Sequence, residues 1–134
     1  MEDLFHIEME ADRLREISSI GLAHVGDAVF ELLVRTWLCT KGKATGKGLH
    51  RAAVGIVCAE SQARRAERLL PLLTEEEEAV FRRGRNAHVH TVPAHASRAQ
   101  YSEATALEAL FGWLYLSGKT DRIQTLFDAA MKEG

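Results

Sequence analysis

The stretch GLAHVGDAVFELLVRTWL, Gly21 to Leu38, decides how this chain folds. Wound at about 100° per residue, it gathers Leu22, Val25, Gly26, Val29, Phe30, Leu32, Leu33, Val34, Thr36 and Trp37 on one arc, with His24, Glu31 and Arg35 opposite. So broad an apolar arc predicts a central helix with neighbours on most sides. Asp27 falls on the edge of the arc, among the small residues Ala23, Gly26 and Ala28. A carboxylate there is expected to be partly desolvated, so it is either paired with an Arg or backbone or holds a cation.

Outward from this helix, the pattern stays helical. Residues 3–18 read as a short amphipathic covering helix with Leu4, Ile7, Leu14 and Ile17 apolar among acids. After the central helix, KGKATGKG (Lys41 to Gly48) is a basic, glycine-rich loop that does not match the Walker phosphate-binding pattern. From Leu49 to Leu70 apolar residues recur at helical spacing with an interruption near Gly55, giving one bent helix or two short ones. Pro71 ends that pattern, and Thr74 with Glu77 three residues on makes a capping box for TEEEEAVFRRGRNA. The acids of its first turn and the arginines of its last both suit the helix dipole.

HVHTVPAHASRAQY, residues 88–101, shows no apolar period and reads as an exposed loop. Its histidines come without the Cys partners or the HExxH spacing of a zinc site. SEATALEALFGWLYLSG, Ser102 to Gly118, is a second largely buried helix, and residues 120–132 close the chain with Ile123, Leu126, Phe127 and Ala130 as a packing face. No strand-like alternation and no repeat occurs, so the expected fold is all-α, in a single domain over residues 1–134.

Composition agrees with that reading. The 46% hydrophobic content and two prolines fit a globular core, and no apolar run approaches the length of a membrane span. The acidic N-terminus lacks the form of a secretory signal, so the cytoplasm is the expected location. Cys39 and Cys58 are then expected as reduced, packed thiols. Although the net charge is −2, residues 35–101 hold twelve bases and six acids. A basic middle on an acidic chain suggests a one-sided surface for anions.

The helix around Glu108 repeats the theme of the first: one carboxylate beside small or short residues, here Ala104, Thr105 and Gly112. Two such carboxylates, Asp27 and Glu108, are the oxygen donors that a divalent cation such as Mg²⁺ takes. A metal held there would suit phosphodiester cleavage. On spacing alone, both are equally readable as capping or ion-paired groups.

GDAVFELLVR around Asp27 and EALFGWLYL around Glu108 resemble the two signature segments of the ribonuclease III catalytic domain, with FRRGRNA, Phe81 to Ala87, similar to the basic segment between them. The likeness runs in order from about Ile20 to Met131. It is strongest toward the short branch called Mini-III, which lacks a double-stranded-RNA-binding domain, and none is expected here. The resemblance implies a homodimeric endonuclease fold that cuts double-stranded RNA with Mg²⁺ (Mn²⁺ as a substitute) and leaves 5′-phosphate and 3′-hydroxyl ends. It further implies maturation of the large-subunit ribosomal RNA precursor, with a ribosomal protein as an auxiliary that shapes the substrate. Asp27 and Glu108 take the catalytic, metal-ligand role. The full-length enzymes carry further carboxylates four residues before this Asp and three before this Glu, where this chain has Ala23 and Thr105. Those two residues leave open the number of metals and, as an alternative, a catalytically silent RNA-binding protein of the same fold. A helical interaction protein with no nucleic-acid role is the third reading.

RNA held by phosphates and 2′-hydroxyls needs cations near the carboxylates. Arg83, Arg85 and Asn86, with His88, His90 and Arg98, are expected to flank the cleavage site, and Lys41, Lys43 and Lys47 to reach more distant phosphates. The apolar arcs, together with Phe111, Trp113 and Tyr115, offer more apolar surface than one small core absorbs, which also predicts a C2 homodimer.

Overall fold

The structure, a computed structural model, describes residues 2–42, 45–87 and 97–132. Every regular element among these is helical: α1 (Ala11–Leu14), α2 (Ser19–Thr40), α3 (Gly46–Val57), α4 (Ala59–Leu69), α5 (Glu75–Arg85), α6 (Arg98–Leu116) and α7 (Thr120–Met131), with single 3-10 turns at Leu4–His6 and Leu70–Leu72. Among the described residues no helix is long and apolar enough to cross a membrane. Lys43, His88 and His90 lie outside the described residues.

Caps place the helices. The Ser18 hydroxyl accepts from the Gly21 backbone to start α2, and Thr45 does the same through Gly48 for α3. The capping box of α5 is present: Glu77 N–H donates to the Thr74 hydroxyl at 3.2 Å, and Thr74 N–H donates to the Glu77 carboxylate at 2.9 Å. A second capping box, Ser97 with Gln100, starts α6. The helix therefore begins four residues earlier than its apolar pattern does, and Arg98 and Tyr101 are helical, not loop. The segment after Thr45 is two helices, broken at Cys58, whose extended backbone (φ −66°, ψ 155°) interrupts the ladder; Gly55 lies inside α3.

Helix α6 is the axis of the domain, with α2, α4 and α5 packed along it. Phe30 of α2 sits edge-on to Phe111 of α6 and Phe127 of α7, with ring centroids 5.4 and 5.7 Å apart. Leu107, Leu110, Leu114 and Leu126 fill the space around them, fully buried. A smaller cluster joins Leu14, Leu22, Ala23, Val80 and Ala109, so the N-terminal segment does cover the core, but as a 3-10 turn and the short α1 in place of one helix.

Several expectations need correction. Phe111 is wholly consumed by the core, and Trp113 and Tyr115 are half-buried; among the described residues the large apolar side chains left in solvent are Leu4, Phe5, Ile20, Leu32, Val54 and Leu72. Cys39 and Cys58 are free thiols but exposed, not packed. Asp27, expected to be partly desolvated, is exposed, because α6 approaches α2 on the Gly26 side and leaves Asp27 at the edge of the contact.

Candidate active site

Where α2 crosses α6, their backbones touch. A Cβ added to Gly26 would lie 1.6 Å from the carbonyl oxygen of Glu108, and one added to Gly112 would lie 2.0 Å from that of Leu22. Glycine is required at both positions by this approach, since any side chain would occupy the opposite backbone. Asp27 follows Gly26 directly, and Glu108 stands one helical turn before Gly112. The closest point of the crossing thus delivers both carboxylates to the same place.

They line one open cavity of about 200 Å³ with Ile20, Ala23, His24, Tyr101 and Thr105. The two side chains are in hydrogen-bonding contact, with Asp27 at the exposed rim and Glu108 half-buried behind it. Burial first, then the Asp27 charge and its hydrogen bond, push the Glu108 carboxyl up to about 8, while the nearby Gln62 amide pulls the other way. Glu108 without a bound cation is consequently a carboxylic acid at neutral pH. Two carboxyl groups that would repel each other if both were ionised, set in an open cavity, fit a hard divalent cation, which offsets that repulsion and takes oxygen donors. Among the described residues no cluster of three or more His, Cys, Asp and Glu side chains gathers.

Ala23 and Thr105 also line the cavity and are buried, at 7% and 5% exposure. The Thr105 hydroxyl is turned into its own helix, donating to the Tyr101 carbonyl at 2.9 Å. Glu31 is engaged elsewhere, accepting from Arg35 at 2.6 Å, and does not line the cavity. Sequence reasoning missed three residues here. His24 and Tyr101 lie one turn from Asp27 and Thr105 and follow from helical spacing once the pair is known. Gln62, from α4, carries no such signal.

The cationic residues are distributed, not concentrated. Arg83 is exposed and lines a separate groove of about 600 Å³ with Leu14, Trp113 and Lys119. Arg85 faces α6, 3.6 Å from Glu103, and lies over the Phe81 ring. Asn86 is the C-cap of α5, and Arg98 is the first residue of α6. Lys41 caps α2 with its ammonium over Trp37, and Lys47 is exposed in the first turn of α3.

Fold and site together define a helical domain with a two-carboxylate centre at a glycine-mediated helix crossing. The profile of the ribonuclease III domain matches residues 21–119, which span both carboxylates. The Mini-ribonuclease 3 of Symbiobacterium thermophilum is 44% identical over 83% of this chain and 85% of its own length. That of Enterococcus faecalis is 36% identical over 89% and 92%. The crystal structure of a Fusobacterium nucleatum protein superposes with a TM-score of 0.79 at 30% identity, covering 86% of this chain and 92% of that one. The chain belongs to the ribonuclease III domain family, within its Mini-ribonuclease 3 branch.

Proposed function

We propose that this ribonuclease III-family endoribonuclease hydrolyses double-stranded RNA with Mg²⁺, Mn²⁺ serving as a substitute, at the site formed by Asp27 and Glu108. The observation that carries the reading is their convergence on one open cavity from helices 81 residues apart in sequence. Asp27 and Glu108 would hold the cation, and Ala23 and Thr105 contribute no further carboxylate, so the donor set suits one ion. When bound, the ion lowers the pKa of water and offsets charge on the scissile phosphate, giving 5′-phosphate and 3′-hydroxyl ends.

The chain's own residues seat the substrate. Duplex RNA is gripped by its phosphates and 2′-hydroxyls, and Arg85 and Asn86 at the end of α5, with Arg98 at the start of α6, are assigned the phosphates nearest the cavity. Arg83, Lys41 and Lys47 take more distant ones, and the same role is proposed for Lys43, His88 and His90. A C2 homodimer supplies a second site for the opposite strand, and the exposed Ile20 and Leu32 on α2 support such a contact. A large-subunit ribosomal RNA precursor as the substrate, presented with a ribosomal protein, and a cytoplasmic location belong to the same proposal.

The test is cleavage of a labelled RNA duplex with Mg²⁺ and again after chelation, by wild type, Asp27→Asn and Glu108→Gln. Both variants are expected to lose cleavage while keeping the fold and duplex binding, because each removes an anionic ligand without opening a cavity. Substantial turnover by both would refute the assignment. Duplex binding without cleavage by the wild type would favour the catalytically silent reading that Ala23 and Thr105 allow.

A further inference from the structure

The Glu108 carboxylate has a second neighbour, from a third helix. Gln62 of α4 is 1% exposed, and its side-chain amide lies beside Glu108. Its Nε2 is buried and makes no hydrogen bond of regular length and angle. Such an atom is costly in a core, since its hydration is given up with nothing gained in return. A Met or Leu would fill the same space between α4 and α6 at no such cost. A glutamine here is explained by a neighbour that needs an N–H donor, and the group beside it is the carboxylate of Glu108.

We propose that Gln62 is a positioning residue for the metal centre: its amide N–H donates to one oxygen of Glu108 and fixes the rotation of that carboxylate, so that the other oxygen faces Asp27 across the cavity. The inference rests on the metal reading of the Asp27 and Glu108 site. Three helices then build the centre, with α2 and α6 supplying the donors and α4 orienting one of them. Outer partners of this kind act on metal affinity by restricting the ligand before the ion arrives. A neutral amide serves this purpose better than Lys or Arg, because it orients the carboxylate without cancelling the charge that attracts the ion.

The experiment is calorimetric titration of the full chain with Mn²⁺ in the absence of RNA, alongside thermal unfolding of the metal-free protein. The variants are Gln62→Met and Gln62→Leu, two apolar shapes so that poor packing of one leaves the other, with Asp27→Asn and Glu108→Gln as controls. Expected are a rise of about tenfold in the Mn²⁺ dissociation constant of the Gln62 variants, a matching rise in the Mn²⁺ needed for duplex cleavage, and a thermal midpoint no lower than wild type. Wild-type Mn²⁺ affinity in the Gln62 variants, with binding lost in the two controls, would overturn the positioning role and leave the metal site standing. A lowered midpoint with unchanged affinity would assign Gln62 to packing and overturn it equally. Absence of Mn²⁺ binding by the wild type would overturn both the inference and the reading beneath it.

Discussion

Replacing Gly26 by alanine adds a single methyl group, yet the structure makes it a severe test. That methyl would stand 1.6 Å from the Glu108 carbonyl oxygen, 2.5 Å from its carbon and 2.8 Å from the Gly112 nitrogen. A carbon and an oxygen in contact need about 3.3 Å, so α2 and α6 must spread locally by roughly 1.7 Å, and none of the obstacles is a side chain that can rotate away. Overpacking a core costs about 1–3 kcal/mol, and a backbone obstacle puts this variant at the top of that range, offset by about 1 kcal/mol of helix propensity gained over glycine. The functional effect is larger. The residue displaced is the neighbour of Asp27, and the obstacle is Glu108 itself, so the spread opens the carboxylate pair directly. A displacement of about 1 Å at a reacting centre is worth on the order of 100-fold in rate. Denaturant unfolding and duplex cleavage by Gly26→Ala are the assays, with Gly55→Ala as a control: a Cβ there meets nothing within 4 Å, so it should stabilise α3 by about 0.5–1 kcal/mol. If Gly26→Ala kept wild-type stability and cleavage, the close crossing would not be what builds the site.

Other consequences are equally open to measurement. Glu77 is 3% exposed; burial raises its carboxyl, but hydrogen bonds from Arg122 at 2.8 and 2.9 Å and from Thr74 outweigh this and hold it below the usual range. Arg122→Ala should therefore cost about 1.5–3 kcal/mol, and in the wild type the contribution of Glu77 should be present above its unfolded value near 4.5 and be lost as pH falls through its lower folded value, both read by unfolding curves. Glu108 has the opposite sign: raised to about 8, it makes the folded metal-free protein the better proton binder between roughly pH 4.5 and 8. Metal-free stability should accordingly fall with rising pH across that window, while Mn²⁺ affinity rises, as calorimetry at several pH values would show. In a salt titration of duplex binding, Arg83→Ala/Arg85→Ala and Lys41→Ala/Lys47→Ala should each weaken binding and flatten the slope by up to about one unit for each phosphate that is no longer neutralised; unchanged slopes would place the RNA elsewhere. Light scattering at micromolar concentration should report a dimer.

The two long helices were legible because both carry wide apolar arcs, and the carboxylates stood out as the charged residues set among small ones. The Thr74 and Glu77 cap was equally visible, being local. What escaped depends on how helices meet. Periodicity put Asp27 at the edge of an arc but did not tell which side α6 would take, so its exposure followed only from the approach at Gly26. The start of α6 was misplaced because Ser97 and Gln100 form a cap before the apolar pattern begins, a local signal that was present and outweighed by the polar run around it. Arg83 and Arg85 read as one basic patch in sequence, but residues two apart on a helix point to different faces. The first lines the groove with Trp113, and the second turns to Glu103. Gln62 had no signal at all, because nothing on α4 announces which residue of α6 it will meet.

The crossing that makes the site also makes the fold hard to separate from its chemistry. Gly26 and Gly112 let α2 lie against α6 at backbone contact, and in a core of this size that contact excludes water from one side of Glu108. The same closeness brings Asp27 against it, so packing and mutual repulsion arise from one geometric cause. A wider crossing, bridged by alanines, would hydrate Glu108 and relax the pair, giving a more ordinary carboxylate with less reason to take up a cation. On the proposed metal reading, the metal-free protein carries a penalty at neutral pH that a divalent ion would relieve, and ion binding would release the proton of Glu108 as it does so. Proton release on Mn²⁺ binding, read from the dependence of the calorimetric heat on buffer ionisation enthalpy, should approach one per site below pH 7 and vanish well above pH 8. No proton released at pH 6.5 would mean that Glu108 is already ionised beside Asp27, and that the close crossing does not govern its charge.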